Sequence, residues 1–155
     1  MTLSEVDSLV ARAKAAGQVV VLTNGHFDLL HVGHVRYLQA ARALGDVLVV
    51  GVNSDASTRA LKGPTRPLLP AEERAELLQA LRCVDATLVF EGNTASALIE
   101  RLRPAIYAKG GDYASKELVE AEVARQCGAE VRLLPEVPGR STSSLIEVIR
   151  KRFCP

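Results

Sequence analysis

At 155 residues the chain is long enough for one sizeable hydrophobic core and too short for two ordinary ones, so a single domain over residues 1–155 is expected. Hydrophobic residues make up 48% and charged residues 24%, which excludes disorder on composition. A formal net charge of +1 excludes the broad basic surface that nucleic acid requires, although a local basic site is compatible with it.

The chain opens with Leu3–Ala16, where Val6, Leu9, Val10 and Ala13 form a helical stripe, Ser4 or Thr2 can cap the start and Gly17 ends it. Residues 1–17 therefore read as an amphipathic lead-in helix. They hold no basic start followed by an apolar core, and no later apolar run approaches membrane-spanning length, so a cytoplasmic protein with no membrane partner is expected. Val19–Leu22 is a short β-branched strand, followed at Gly33–Leu44 by a helix and at Val47–Val52 by a second strand. Asn53–Leu69 holds two prolines among Ser, Asp, Thr, Lys, Gly and Arg, with little apolar patterning, and reads as a long irregular loop of the kind that forms lids.

Pro70–Leu81 reads as a helix, with Pro70 in its first turn and Glu72 and Glu73 at its favourable acidic end. Strands at Ala86–Phe90, Ala105–Ala108 and Glu130–Leu134 then alternate with helices at Ala95–Leu102, Ser115–Cys127 and Thr142–Phe153. This alternation predicts an α/β fold, a single Rossmann-like doubly wound five-stranded parallel sheet with helices on both faces. Cys83, Cys127 and Cys154 are odd in number and lack a Cys-x-x-Cys pair, which excludes a disulfide framework and a zinc site.

In such sheets ligands bind beyond the carboxyl ends of the strands, near the point where strand order reverses. The segment after the first strand, Thr23-Asn24-Gly25-His26-Phe27-Asp28-Leu29-Leu30-His31-Val32-Gly33-His34, holds all three histidines of the chain. His31 and His34 are i, i+3 neighbours at a helix start, with Gly33 between them. Such a pair can hold a metal, pack or cap a helix, or serve phosphate chemistry. Metal ligation wants a third ligand and i, i+4 spacing that the chain lacks. Beside Gly25, Asp28 and a helix N-terminus, whose N–H groups and dipole attract anions, the phosphate reading is favoured.

Other strand-end segments carry matching chemistry. Lys62, in Leu61-Lys62-Gly63-Pro64-Thr65-Arg66-Pro67, is either a mobile phosphate donor or a solvated loop lysine. Lys109-Gly110-Gly111-Asp112-Tyr113 either lets a base or sugar approach the backbone, with Asp112 accepting hydroxyl hydrogen bonds, or forms a plain turn. Gly139-Arg140-Ser141-Thr142-Ser143-Ser144 opens the last helix with four hydroxyls beside an arginine, more than N-capping needs. No Walker loop, Gly-x-Gly-x-x-Gly fingerprint or Gly-x-Ser-x-Gly elbow is present.

With these residues in view the chain resembles the cytidylyltransferase-like nucleotidyltransferase superfamily, whose mark Gly-x-Phe-Asp-x-x-His-x-Gly-His is complete at Gly25–His34. Gly51-Val52-Asn53-Ser54-Asp55, Lys62-Gly63-Pro64, Arg82-Cys83-Val84-Asp85 and the segments at 109–113 and 139–143 look most like its heptose 1-phosphate adenylyltransferase members. The resemblance implies transfer of AMP from ATP to heptose 1-phosphate, giving ADP-heptose and pyrophosphate, with Mg²⁺ and without a covalent enzyme intermediate. His31 and His34 would stabilise the α-phosphate and the departing pyrophosphate, Lys62 would reach the phosphates, and Arg140, Ser141 and Thr142 would hold the β- and γ-phosphates. Thr23, Asn24, Gly25, Phe27, Asp28, Gly33, Lys109, Gly110, Asp112 and Ser143 would line the nucleotide site, and Asn53, with Asp28 and Lys62, the acceptor site.

Close relatives often have Cys before Phe-Asp where this chain has His26, which is therefore expected not to be essential. Many relatives also carry this domain behind a sugar kinase, so a separate heptose kinase is expected; relatives are often dimers, so a homodimer is expected too, with the lead-in helix and sheet faces as contact surfaces. The alternatives are a CTP-using glycerol-3-phosphate cytidylyltransferase, an FAD synthetase-like enzyme, and a silent nucleotide-binding module.

Overall fold

The computed structural model describes residues 1–111, 119–135 and 137–154. Five strands, β1 (Val20–Gly25), β2 (Val47–Asn53), β3 (Ala86–Phe90), β4 (Ile106–Gly110) and β5 (Glu130–Leu134), form one sheet in the order β3-β2-β1-β4-β5. Every pairing is parallel. Seven helices surround it among the described residues: α1 (Leu3–Ala15), α2 (Val32–Arg42), α3 (Asp55–Lys62), α4 (Ala71–Gln79), α5 (Ser96–Leu102), α6 (Val119–Gln126) and α7 (Thr142–Phe153). The Rossmann-like α/β architecture expected from the alternation is the one observed.

Successive strand residues point to opposite faces, and the two cores divide on that rule. Val20, Leu22, Val49 and Tyr107 face α1, α5 and α6, through Val6, Val10, Leu98, Ile99 and Ala124. Val21, Leu48, Val50 and Ala108 face α2 and α4, through Leu38, Ala41, Ala75 and Leu78. The central strands carry apolar residues on both faces because both are covered. The lead-in helix spends its apolar stripe here, with Val6, Val10 and Ala13 buried, so that stripe is not a free contact surface. Thr2 rather than Ser4 caps it, in a reciprocal box with Glu5.

β3, β5 and α7 fall on the expected residues, and the other boundaries move by a few positions. β1 runs three residues further than expected, so Thr23, Asn24 and Gly25 are strand and not loop. Pro70 occupies the N-cap of α4 and not its first turn. Residues 115–118 of the expected sixth helix lie outside the described residues.

The larger correction is α3, which occupies half of the segment read as an irregular loop. Ser54 caps it by accepting from the Ser57 N–H, and Asp55 sits in its first turn. Its buried side chains are polar: the Ser57 hydroxyl donates to the Gly92 carbonyl, and Thr58 pairs with His26. A helix that buries hydroxyls shows no apolar periodicity, which is why the pattern missed it.

α3 and α4 are joined through Arg74, whose side chain is wholly buried. Its guanidinium donates to the carbonyls of Leu69 (2.9 Å), Asn53 (2.9 Å) and His26, and pairs with Asp55 at 2.8 Å. A methionine of similar length would leave three carbonyls without that donor, so Arg74→Met is expected to lower stability by about 3–5 kcal/mol in urea unfolding. A loss below about 1 kcal/mol would show that the site tolerates an apolar side chain.

Candidate active site

The order β3-β2-β1-β4-β5 reverses direction between β1 and β4, and a pocket of about 460 Å³ opens at the carboxyl ends of these strands. One wall is the segment from β1 into α2. Phe27 adopts φ +47°, a left-handed conformation uncommon for a bulky side chain, and its ring meets that of His34 edge-on, with centroids 5.3 Å apart. His31 caps α2, its Nδ1 accepting from the Gly33 N–H at 3.1 Å. The His31 and His34 rings stack, with centroids 3.8 Å apart and planes 23° from parallel. Gly33 permits this arrangement, because a Cβ there would lie 2.8 Å from the His31 ring.

The opposite wall is the start of α7. Ser141 caps it by accepting from the Ser144 N–H, Thr142 donates to the Leu29 carbonyl at 3.4 Å, and Arg140, Ser141, Thr142 and Ser143 all line the pocket. Two helix N-termini therefore face one space, and each offers unpaired N–H groups and a positive dipole end to an anion.

The floor is made where β1 and β4 end. Asn24 Oδ1 accepts from Tyr107 Oη at 2.7 Å and from Lys109 Nζ at 3.1 Å. Glu120 stands 3.9 Å from Lys109 Nζ. Burial, with a smaller contribution from Lys62, holds the Lys109 ammonium below its ordinary pKa, while Glu120 opposes that shift. Lys62 ends α3 and lines the same pocket as Asn53 and His26.

The histidines are held neutral. Burial pushes the His34 imidazole down to about 4, with the neighbouring His31 adding to it and the Leu29 backbone opposing it. His34 Nδ1 is buried, and among the described residues only the Leu29 backbone approaches it, too poorly aligned for a full hydrogen bond. Burial and the Arg140 charge lower His31 as well. His26, bonded through Nδ1 to Thr58 Oγ1 at 3.0 Å, is pushed to about 4 by burial and then by Lys62, Arg74, Lys109 and Arg66. Neutral imidazoles among these cations can donate hydrogen bonds without adding positive charge to the pocket.

Most of the expected site residues therefore meet in one pocket: Asn24, Gly25, Phe27, His31, Gly33, His34, Asn53, Lys62, Lys109, Gly110 and Arg140 to Ser143. Two are placed differently. Thr23 lies beneath the pocket, fully buried, with its hydroxyl 2.6 Å from Tyr37 Oη. Asp28 borders the pocket, but its carboxylate is turned into the protein, where it pairs with Arg66 and accepts from the Leu68 (2.7 Å) and Leu69 (3.1 Å) N–H groups. It anchors the segment before α4. Asp112 lies outside the described residues. Tyr37, Arg66, Asn93 and Glu120 also line the pocket and were not anticipated. Three of them had a signal: Tyr37 is one helical turn beyond His34, Arg66 stands in the same loop run as Lys62, and Asn93 follows the end of a strand.

A family model described as cytidylyltransferase-like matches residues 22–148, which contain both walls of this pocket. The chain belongs to the cytidylyltransferase-like family. It is a nucleotidyltransferase, and the bifunctional protein HldE of Geobacter sulfurreducens is 53% identical to it over 151 residues, 97% of this chain and 31% of that protein. The HldE protein of Syntrophotalea carbinolica is 54% identical over 137 residues, 88% of this chain and 28% of the relative. The chain thus spans less than a third of the length of these relatives.

Among solved structures, a lipopolysaccharide core biosynthesis protein from Thermoplasma volcanium superposes with TM-score 0.64 at 27% identity, covering 78% of this chain and 98% of that one. Pantothenate synthetase from Thermus thermophilus superposes with TM-score 0.57 at 19% identity, covering 83% of this chain and 60% of that one, and shares the fold. No helix among the described residues is long and apolar enough to cross a membrane.

Two outcomes test this geometry. His26 and His34 take up protons more readily in the unfolded chain, so their contribution to stability is full above pH 6.5 and is lost as pH falls toward about 4. Denaturation at stepped pH should show that loss, and His34→Gln should flatten it. Gly33→Ala should displace the His31 ring and lower kcat by about 10²-fold while the unfolding midpoint stays near that of the parent.

Proposed function

We propose that this nucleotidyltransferase moves AMP from ATP to the phosphate of heptose 1-phosphate, forming ADP-heptose and releasing pyrophosphate. The observation that carries the reading is the convergence of the stacked His31–His34 pair and the Arg140–Ser143 helix start on one pocket. A dissociating polyphosphate needs donors already in place around oxygens that gain charge, and little else from the protein. In this reading His31 and His34 donate to the α-phosphate and the bridging oxygen, Arg140, Ser141 and Thr142 hold the β- and γ-phosphates, and Lys62 closes on them from the end of α3. Asn24, Lys109 and Gly110, with Asp112, hold the nucleoside, and Asn53 with Lys62 faces the acceptor. The acceptor phosphate attacks directly, so no covalent enzyme intermediate forms.

The heptose acceptor is supported by the HldE relatives, at about half identity over most of the chain, and by the lipopolysaccharide core biosynthesis protein of Thermoplasma volcanium, whose role points to a sugar. The kinase that makes the sugar phosphate lies outside this domain, and two copies of the chain associate. Mg²⁺ bound to the ATP phosphates would screen their charge. The Asp28 carboxylate is already engaged by Arg66 and by the Leu68 and Leu69 N–H groups, so the ion would be carried by the phosphates. CTP with a polyol phosphate is the second reading, favoured by the cytidylyltransferase-like family match itself.

Pyrophosphate release from ATP and from CTP, each with heptose 1-phosphate and with glycerol 3-phosphate, decides between the two. Fastest release with ATP and heptose 1-phosphate is expected, and faster release with CTP would replace this reading by the second. His34→Ala should lower kcat by about 10²–10³-fold, the usual effect of removing one preorganised donor. His26→Ala should retain turnover, and an equal loss in both variants would make His26 part of the reacting centre.

A further inference from the structure

At the floor of the pocket β1 and β4 part company, and one side chain spans them. β1 continues to Gly25 and β4 to Gly110, yet the two strands pair only at Val21 with Ile106 and Leu22 with Tyr107. Beyond that point each runs on for three residues without its ladder partner, which leaves backbone groups to be satisfied in another way. Tyr37, on α2, enters this gap. Its hydroxyl donates to the Ala108 carbonyl at 3.2 Å and lies 2.6 Å from Thr23 Oγ1. Because the Tyr37 proton goes to Ala108, the hydroxyl accepts from Thr23.

We propose that Tyr37 is a positioning residue for nucleotide binding, a wedge whose hydroxyl sets the separation of β1 and β4 and thereby the placement of Asn24 and Lys109. Those two residues directly follow Thr23 and Ala108 in the chain, and they meet across the crevice at 3.1 Å. The wedge is tight on its far side as well, since a Cβ at Gly110 would lie 3.0 Å from the Tyr37 ring. Tyr37 is also one helical turn beyond His34, so the same helix carries the stacked histidines and the strut that fixes the opposite strand. A shift of this hydroxyl would move the floor of the pocket relative to its histidine wall, and misplacement on that scale weakens binding without removing any group that touches the nucleotide.

The inference rests on nucleotidyl transfer and not on the acceptor. The test is calorimetric titration of the full chain with ATP and with CTP, alongside thermal unfolding. Tyr37→Phe keeps the ring and removes the strut, and the Kd of the better-bound nucleotide should rise about five- to tenfold. That variant also leaves the Thr23 hydroxyl buried without its partner, so Tm should fall. The double variant Tyr37→Phe/Thr23→Val removes the orphaned hydroxyl and should recover most of the Tm while the Kd stays raised. Unchanged affinity in Tyr37→Phe, or affinity that recovers together with Tm in the double variant, would reduce Tyr37 to a packing residue and overturn the proposal. Tighter binding of CTP by the parent would correct the proposed nucleotide, and the variant-to-parent ratio measured with CTP would still decide the role of Tyr37. A parent chain that bound neither nucleotide would overturn both.

Discussion

The ends of β1 and β2, the start of α3 and the segment entering α4 meet on one guanidinium. Arg74 is fully buried, and a charge taken from water is tolerated only when its donors are occupied. Here they are occupied by backbone carbonyls as much as by Asp55, so the arginine acts as a junction between chain segments. The planar fork gives fixed directions, which a lysine's single ammonium would not. Because the His26 and Asn53 carbonyls are both held, the two strand ends that border the pocket keep their spacing, and the histidine wall is built on a fixed base.

Asp28 repeats the device with opposite charge. It sits inside the sequence motif, yet its partners are 38 to 41 positions further along the chain. Arg74 and Asp28 together clamp the segment between α3 and α4, and with it Arg66 and the end of α3 that carries Lys62. The motif thus has two physical duties, histidines that face the pocket and a carboxylate that faces inward.

What was legible in the chain was local. Alternating apolar runs placed all five strands, and the hydroxyl-rich start of α7 and the paired histidines marked both walls. The illegible parts depend on pairings distant in sequence. α3 escaped because its inner face is made of Ser57 and Thr58, satisfied by Gly92 and His26. Thr23 looked like a ligand contact because it precedes Asn24, but β1 continues through it and turns its side chain toward α2. Asp28 looked like a ligand contact because it belongs to the motif, and only the folded chain shows which cation it faces. Arg74 offered no pattern at all, being one arginine in an ordinary charged helix.

The two walls of the pocket are anchored very differently. The histidine wall grows from the central strand, whereas α7 buries none of its residues, and Leu145, Val148, Ile149 and Phe153 stand exposed along it. Its first turn is tied to the motif by Thr142 on the Leu29 carbonyl. A helix with so little buried surface opens at lower free energy than the sheet beneath it. An anion held between the walls therefore adds its binding free energy to the folding of α7 before that of the sheet. For the proposed reaction, occupancy of the pocket and the order of α7 would form a single coupled equilibrium, in which the ligand would act as part of that helix's missing core.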